Sequence, residues 1–134
     1  VNWLLDTNTI SELAKLEPDS NLLDWLETNE PQTAISALSI GEMVAGLEAM
    51  PEGKRRRSLE RNLKFLREDY AGKILDFTEG VAVEWGRLLA TAKKRGRRLS
   101  VVDSQIEATA VHFGLMVVTR NEKDFFHPVF NPWK

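Results

Sequence analysis

VNWLLDTN, residues 1–8, is an apolar run that stops on Asp6 and passes at once into a helix-start signal, Thr7 and Asn8. A short apolar run closed by turn residues reads as a buried strand. In an open α/β sheet the carboxyl ends of such strands border the crevice where ligands bind, so Asp6 is a candidate site residue from the first line of sequence. Two further acids stand at matching element starts, Glu42 in SALSIGEM (36–43) and Asp103 in SVVDSQIEA (100–108). A polar pair, Asn121 and Asp124, follows the strand-like run Met116 to Thr119. Dispersed carboxylates that converge on one point are what a divalent cation requires.

Outward from that stretch, apolar runs at Asn2 to Leu5, Thr33 to Ser36, Ile74 to Phe77 and Met116 to Thr119 read as strands separated by longer periodic segments. This alternation predicts an α/β fold with a mostly parallel sheet. A first helix is expected from about Thr9 to Lys15, and Leu22, Leu23 and Leu26 mark a second that carries Trp25 and stops before Pro31. Ile40, Met43, Val44 and Leu47 recur at helical spacing between Ser39 and Met50, beside a strip of small residues at Gly41, Ala45 and Ala49. Leu59, Leu63, Leu66 and Tyr70 make another apolar stripe. Thr78 is a suitable N-cap for a long helix ending near Gly96, and Ser100 for one whose Val102, Ile106, Ala110 and Phe113 face the core before Gly114. FNPW (130–133) reads as a last strand or extended tail. No repeat, linker or low-complexity tract interrupts the pattern, so a single domain over 1–134 is expected.

The 134 residues, 43% hydrophobic and 28% charged, suffice for one domain with its own core. Without cysteine there is neither a disulfide framework nor a thiolate metal site, and two histidines are too few for zinc. No apolar run approaches the roughly 20 residues that span a bilayer, and the expectation is a soluble cytoplasmic protein. The formal charge of −2 hides an asymmetry: Lys54-Arg55-Arg56-Arg57 and Lys93-Lys94-Arg95-Gly96-Arg97-Arg98 concentrate the cations while the acids are dispersed. Such blocks hold phosphates or serve as solvated helix faces and ends. The first opposes the dipole of the helix it begins, which points to a partner for it; the second suits a helix C-terminus.

For the acids, two readings stand side by side. Ser39-Ile-Gly-Glu42 and Ser100-Val-Val-Asp103 both match a capping box, in which the acid caps its own helix. Asp6 is harder to place as a mere cap, because a buried carboxylate without compensation costs several kcal/mol; Asp-Thr-Asn is also compatible with an Asx turn and Asn8 as the cap. A shared site would use Asp6 and Asp103 as principal ligands, with Glu42 as a further ligand or water-orienting group and Asn121 and Asp124 at the rim. Glu107 reads as an exposed helix acid, and Glu12, Asp76 and Glu79 as cap or solvent acids. His112 suits a helix C-terminus and His127 a turn. No phosphate-cradling glycine loop occurs.

Taken together, LLDTNTISEL (4–13), SALSIGEMVAGL (36–47), SVVDSQIEATAVHFGLMVVTRNEKDF (100–125) and FNPW (130–133) resemble the motifs of PIN-domain ribonucleases of the VapC type, toxins of bacterial toxin–antitoxin pairs, and the opening and the tail are especially similar to the FitB branch. The resemblance runs end to end. It implies an α/β/α sandwich around a parallel sheet, an acidic pocket of Asp6, Glu42 and Asp103, and Mg²⁺- or Mn²⁺-dependent hydrolysis of RNA. The fourth family acid is often an aspartate directly after Thr-Arg, where this chain has Asn121; Asp124 would supply the missing charge. Thr7, Asn8, Ser39 and Thr119 would orient the carboxylates, and the basic blocks would steer RNA. A second copy of the chain and a small antitoxin are the implied partners. The competing readings are a phosphoryl-accepting aspartate domain, which lacks the companion acids it needs, and a non-catalytic binding module.

Overall fold

The N-terminal apolar run forms strand β1, Trp3–Leu5, in the interior of a four-stranded sheet. A computed structural model describes the chain from Val1 to Lys134. Strands β2 (Thr33–Ser36), β3 (Ile74–Leu75) and β4 (Met116–Val118) complete the order β3-β2-β1-β4, and every pairing is parallel. Leu5 pairs with Ile35 on one side and Val118 on the other. Parallel neighbours need long crossovers. Helices α1 (Thr7–Leu13) and α2 (Ser20–Asn29) join β1 to β2, α3 (Ala37–Glu48) and α4 (Lys54–Asp69) join β2 to β3, and α5 (Glu79–Lys94) and α6 (Val101–Phe113) join β3 to β4.

Both faces of the sheet are covered, which is why β1 is a continuous apolar run rather than an alternating one. Successive side chains of a strand point to opposite faces. Leu4, fully buried, packs with Ala34, Val117 and Phe125 against Ile106 and Ala110 of α6. Leu5, also fully buried, packs with Ile10 of α1, Ile35, Val118 and Tyr70, with Met43 of α3 and Leu66 of α4 against the same cluster. The result is the α/β/α sandwich. Burying each leucine contributes about 1.5–3 kcal/mol, so the two residues before Asp6 fix the strand that presents it.

Two helices start earlier than the spacing predicts. α1 begins at Thr7 because Asp6, not Asn8, is its cap: the Thr9 amide donates to Asp6 Oδ1 at 2.8 Å. α3 begins at Ala37 because Ser36 ends β2 and at once accepts from the Leu38 amide at 3.0 Å. Ser39 and Glu42 therefore lie inside the helix, and the capping-box reading of that pair is corrected. Of the other expected box, Ser100 is the cap position and its hydroxyl donates to Asp103 Oδ2 at 2.9 Å.

α5 and α6 pack closely. A Cβ on Gly80 would stand 2.6 Å from His112 Cε1, so the glycine admits the imidazole, and Trp85 Nε1 donates to Ser104 Oγ at 2.9 Å. Gly114, at φ +69°, ends α6 in a left-handed conformation that suits glycine. Phe113 does not continue the core stripe; it is 42% exposed, at the end of α6 just before the chain turns back into the sheet as β4. Beyond β4, Phe130 returns to bridge Val118, and its ring lies 5.3 Å from Trp3 and 5.4 Å from Trp25. The tail thus covers the open edge of β4. No helix is long and apolar enough to cross a membrane.

Candidate functional site

From β1 the chain builds outward through β2 to β3, then returns to lay β4 on the opposite side. The carboxyl ends of β1 and β4 are therefore the switch point of the sheet, where diverging crossovers leave a crevice. Asp6 follows β1 there, and Thr119 and Asn121 follow β4.

Asp6 is 2% exposed. The Thr9 hydroxyl donates to Asp6 Oδ1 at 2.6 Å and lies 3.0 Å from the Val118 carbonyl oxygen, so Thr9 ties the ends of β1 and β4 together. Both Thr9 hydrogen bonds fall on Oδ1. Burial pushes the Asp6 carboxyl above the ordinary aspartate range against the hydrogen bonds of Thr119 and Thr9, and the charge of Asp103 pushes the same way. Thr9 escaped the sequence reading, although its position three residues after an aspartate cap is the signal that would have found it.

Asp103, in the first turn of α6, is half-buried. Burial raises its carboxyl too, opposed by the Ser100 hydrogen bond and reinforced by the charges of Asp124 and Glu107. Asp6, Asp103 and Asp124 thus form a run of mutually repelling acids, and none of the three makes an ion pair with a lysine or arginine. Asp124 itself is exposed, in a 3-10 turn over Glu122–Asp124.

Glu42 stands apart from that run. Its Oε1 accepts from the Thr7 hydroxyl at 2.5 Å, and the same hydroxyl lies 2.8 Å from Ser39 Oγ. Thr7 adjoins Asp6 in the chain, so this triad abuts the aspartates at the opening of α1. Asn8 and Asn121 meet differently, lining a polar pocket of about 310 Å³ with Ser11, Glu12, Lys15 and Arg120. The Asn121 amide donates to Thr119 Oγ1 at 2.9 Å. No three Asp, Glu or His side chains stand close enough to make a ready-formed metal cage. The site is a rim of acids around the switch point rather than a closed shell.

We expect Thr7→Val, which keeps the shape but removes the donor that holds Glu42, to lower activity by about 10- to 100-fold, the range for losing an outer orienting contact. Its unfolding midpoint should stay within the scatter of the wild type. Unchanged turnover in Thr7→Val would show that Glu42 needs no such hold.

Two acids differ from expectation. Glu107 is 1% exposed rather than solvated: it accepts from the amides of Phe126 (2.9 Å) and His127 (2.6 Å), and His127 Nδ1 lies 2.5 Å from it. Glu12 is buried as well, pairing with Lys15 at 2.8 Å and accepting from the Asp19 amide at 2.9 Å. The partners of Glu107 lie in a segment that local periodicity does not reach. On the Glu42 side, a cleft of about 700 Å³ between α1, α3 and α4 runs from Thr7 and Glu42 over Met43 and Leu47 to Arg55. The strip of Gly41, Ala45 and Ala49 is exposed, and no other element of the chain packs within 4 Å of a Cβ built on Gly41.

Residues 3–129 match the PIN domain family. A VapC ribonuclease, Y4jK, from Sinorhizobium fredii is 38% identical over 136 residues, which span 98% of this chain and 97% of that protein. Among solved structures, FitAcB from Neisseria gonorrhoeae superposes with a TM-score of 0.90 at 34% identity and covers 98% of both chains. A toxin–antitoxin complex from Klebsiella pneumoniae gives a TM-score of 0.75 at 26% identity, again covering 98% of each.

Proposed function

This chain belongs to the PIN-domain family, and on that premise we propose that it is an endoribonuclease toxin that hydrolyses RNA phosphodiester bonds with Mg²⁺ or Mn²⁺ and is neutralised by a small antitoxin. The observation that carries this reading is Asp6: a buried carboxylate at the switch point, its ionised form disfavoured by burial and by Asp103, with no basic side chain to compensate. Its surroundings offer carboxylate, hydroxyl and amide oxygens, a donor set suited to a hard divalent cation. Such a cation commonly takes only one or two carboxylates directly, so Asp6 and Asp103 suffice without a preformed cage, with Glu42 a further ligand and Asn121 and Asp124 at the rim. When bound, it lowers the pKa of water and neutralises charge that builds on the reacting phosphate.

The remaining work falls to the chain. Thr9, Thr119 and Ser100 hold the two aspartates in place. Glu42, held by Thr7, orients the attacking water or takes its proton, so no nucleophilic side chain is required. Asn121 brings an oxygen donor without charge, and Asp124 supplies charge nearby. Relatives named VapC ribonuclease, and similar chains in toxin–antitoxin complexes, support the substrate class and the antitoxin partner. A single domain, a homodimer and a cytoplasmic location complete the reading.

The test is cleavage of a mixed RNA pool with and without a chelator. Cleavage should require Mg²⁺ or Mn²⁺ and vanish in Asp103→Asn. Because burial raises the carboxyls of Asp6 and Asp103, protons compete with the cation at higher pH than at an ordinary aspartate, so Mn²⁺ affinity measured by calorimetry should still climb with pH above the range in which an ordinary aspartate has finished titrating. Equal cleavage in chelator, or by wild type and Asp103→Asn alike, would leave the chain a binding module.

A further inference from the structure

The basic segment between α5 and α6 touches the acidic rim through a built contact. We propose that Arg95, Arg97 and Arg98 form the phosphate track that leads RNA into the site, an inference that rests on the ribonuclease reading and chooses between the two basic blocks.

Lys93 and Lys94 sit in the last turn of α5, where they complement the helix dipole, but Arg95, Arg97 and Arg98 lie beyond it. The guanidinium carbons of Arg95 and Arg97 lie 5.6 and 5.7 Å from the centre of the Phe126 ring. Arg97 also donates to the Lys123 carbonyl at 2.8 Å, within the turn that carries Asp124. Phe126 is fixed in turn, because its amide donates to the buried carboxylate of Glu107. The buried acid thus anchors a ring, and the ring seats two guanidinium groups beside the turn that carries Asp124. No member of this block forms an ion pair. Planar guanidinium groups held in advance lose less entropy on meeting phosphate, and they keep charge directed outward.

The other block is organised differently. Arg56, its side chain 16% exposed, reaches Glu48 at 3.2 Å, Glu52 at 3.4 Å, Glu60 at 3.2 Å and the Met50 carbonyl at 3.0 Å. Those acids are the partner that its unfavourable place at a helix start called for. They place three carboxylates on Arg56 alone, which lowers the net charge of the block and so weakens it as a polyanion site. An acidic rim repels RNA until a cation is present, and an unpaired cationic strip at its edge offsets that repulsion and concentrates substrate.

The experiment measures binding of a fluorescent single-stranded RNA over a salt series, in an Asp6→Asn background so that no turnover intervenes. Changing Arg95, Arg97 and Arg98 together to alanine should weaken binding about tenfold or more and reduce the slope of log affinity against log salt by about 2, at roughly 0.7 per phosphate contact. Changing Lys54, Arg55 and Arg57 together should shift affinity less than about threefold. Arg98→Ala alone makes the test independent of folding, since the Arg98 side chain makes no hydrogen bond or ion pair within the chain, and should reduce the slope by about 0.7. Equal losses from the two blocks, the reverse order, or an unchanged slope in both the triple variant and Arg98→Ala would overturn the assignment. Failure of the wild type to cleave RNA is a separate result, and would count against the ribonuclease reading alone.

Discussion

Asp6→Asn should abolish RNA cleavage, by about 10²-fold or more, while unfolding at the same temperature as the wild type or a higher one. The two halves have one physical cause. An asparagine oxygen still accepts from the Thr9 amide and hydroxyl, so α1 keeps its cap. It brings no charge to hold a cation. In the wild type, burial raises the carboxyl above its unfolded value, so the folded state binds a proton more tightly than the unfolded chain does. The sign follows from linkage: the stability this group contributes is fully present below its unfolded pKa and is lost as pH rises through the folded one. Asparagine, which carries no charge, is free of that loss. The measurement is a thermal melt of both proteins at pH 7 in chelator beside their cleavage rates in Mg²⁺. A clear drop in the variant's melting temperature would mean that Asp6 is chiefly structural. Cleavage at wild-type rate would end its role as a ligand.

Where backbone signals are local, the sequence announces the structure. Leu4 and Leu5 before Asp6 predict the buried strand, Thr78 and Gly96 bracket α5, and Gly114 closes α6, because each turn or cap depends on residues a few positions apart. The position of Asp6 at the switch point was readable for the same reason. Ser39 and Glu42 misled because Ser36 stands nearer the strand end and takes the cap first. Contacts made by distant segments left no local trace. Thr7 meets Glu42 across 35 positions, Thr9 meets Val118 across 109, and Glu107 meets Phe126 across 19. The same holds for charge: the Lys54–Arg57 run shows that a partner is needed, but only the fold shows that Glu48, Glu52 and Glu60 are that partner.

Glu107→Ala should lower stability by about 2–4 kcal/mol, the cost of leaving several donors without an acceptor. The carboxylate receives the amides of both Phe126 and His127, and alanine supplies no substitute. His127 offers the control. Its side chain is 48% exposed, so its contact with Glu107 is screened by water and contributes little. The losses in urea denaturation should therefore fall in the order Glu107→Ala, then Glu107→Gln, then His127→Ala. Glutamine is intermediate because its amide oxygen accepts one bond while its NH₂ group faces a second donor. If His127→Ala matched Glu107→Ala, the side-chain contact rather than the backbone amides would hold the tail. The effect should also reach the site: loosening Phe126 frees Arg95 and Arg97, so Glu107→Gln should raise KM for RNA more than it lowers kcat. A purely structural acid would instead reduce the fraction of active protein and leave KM where it was.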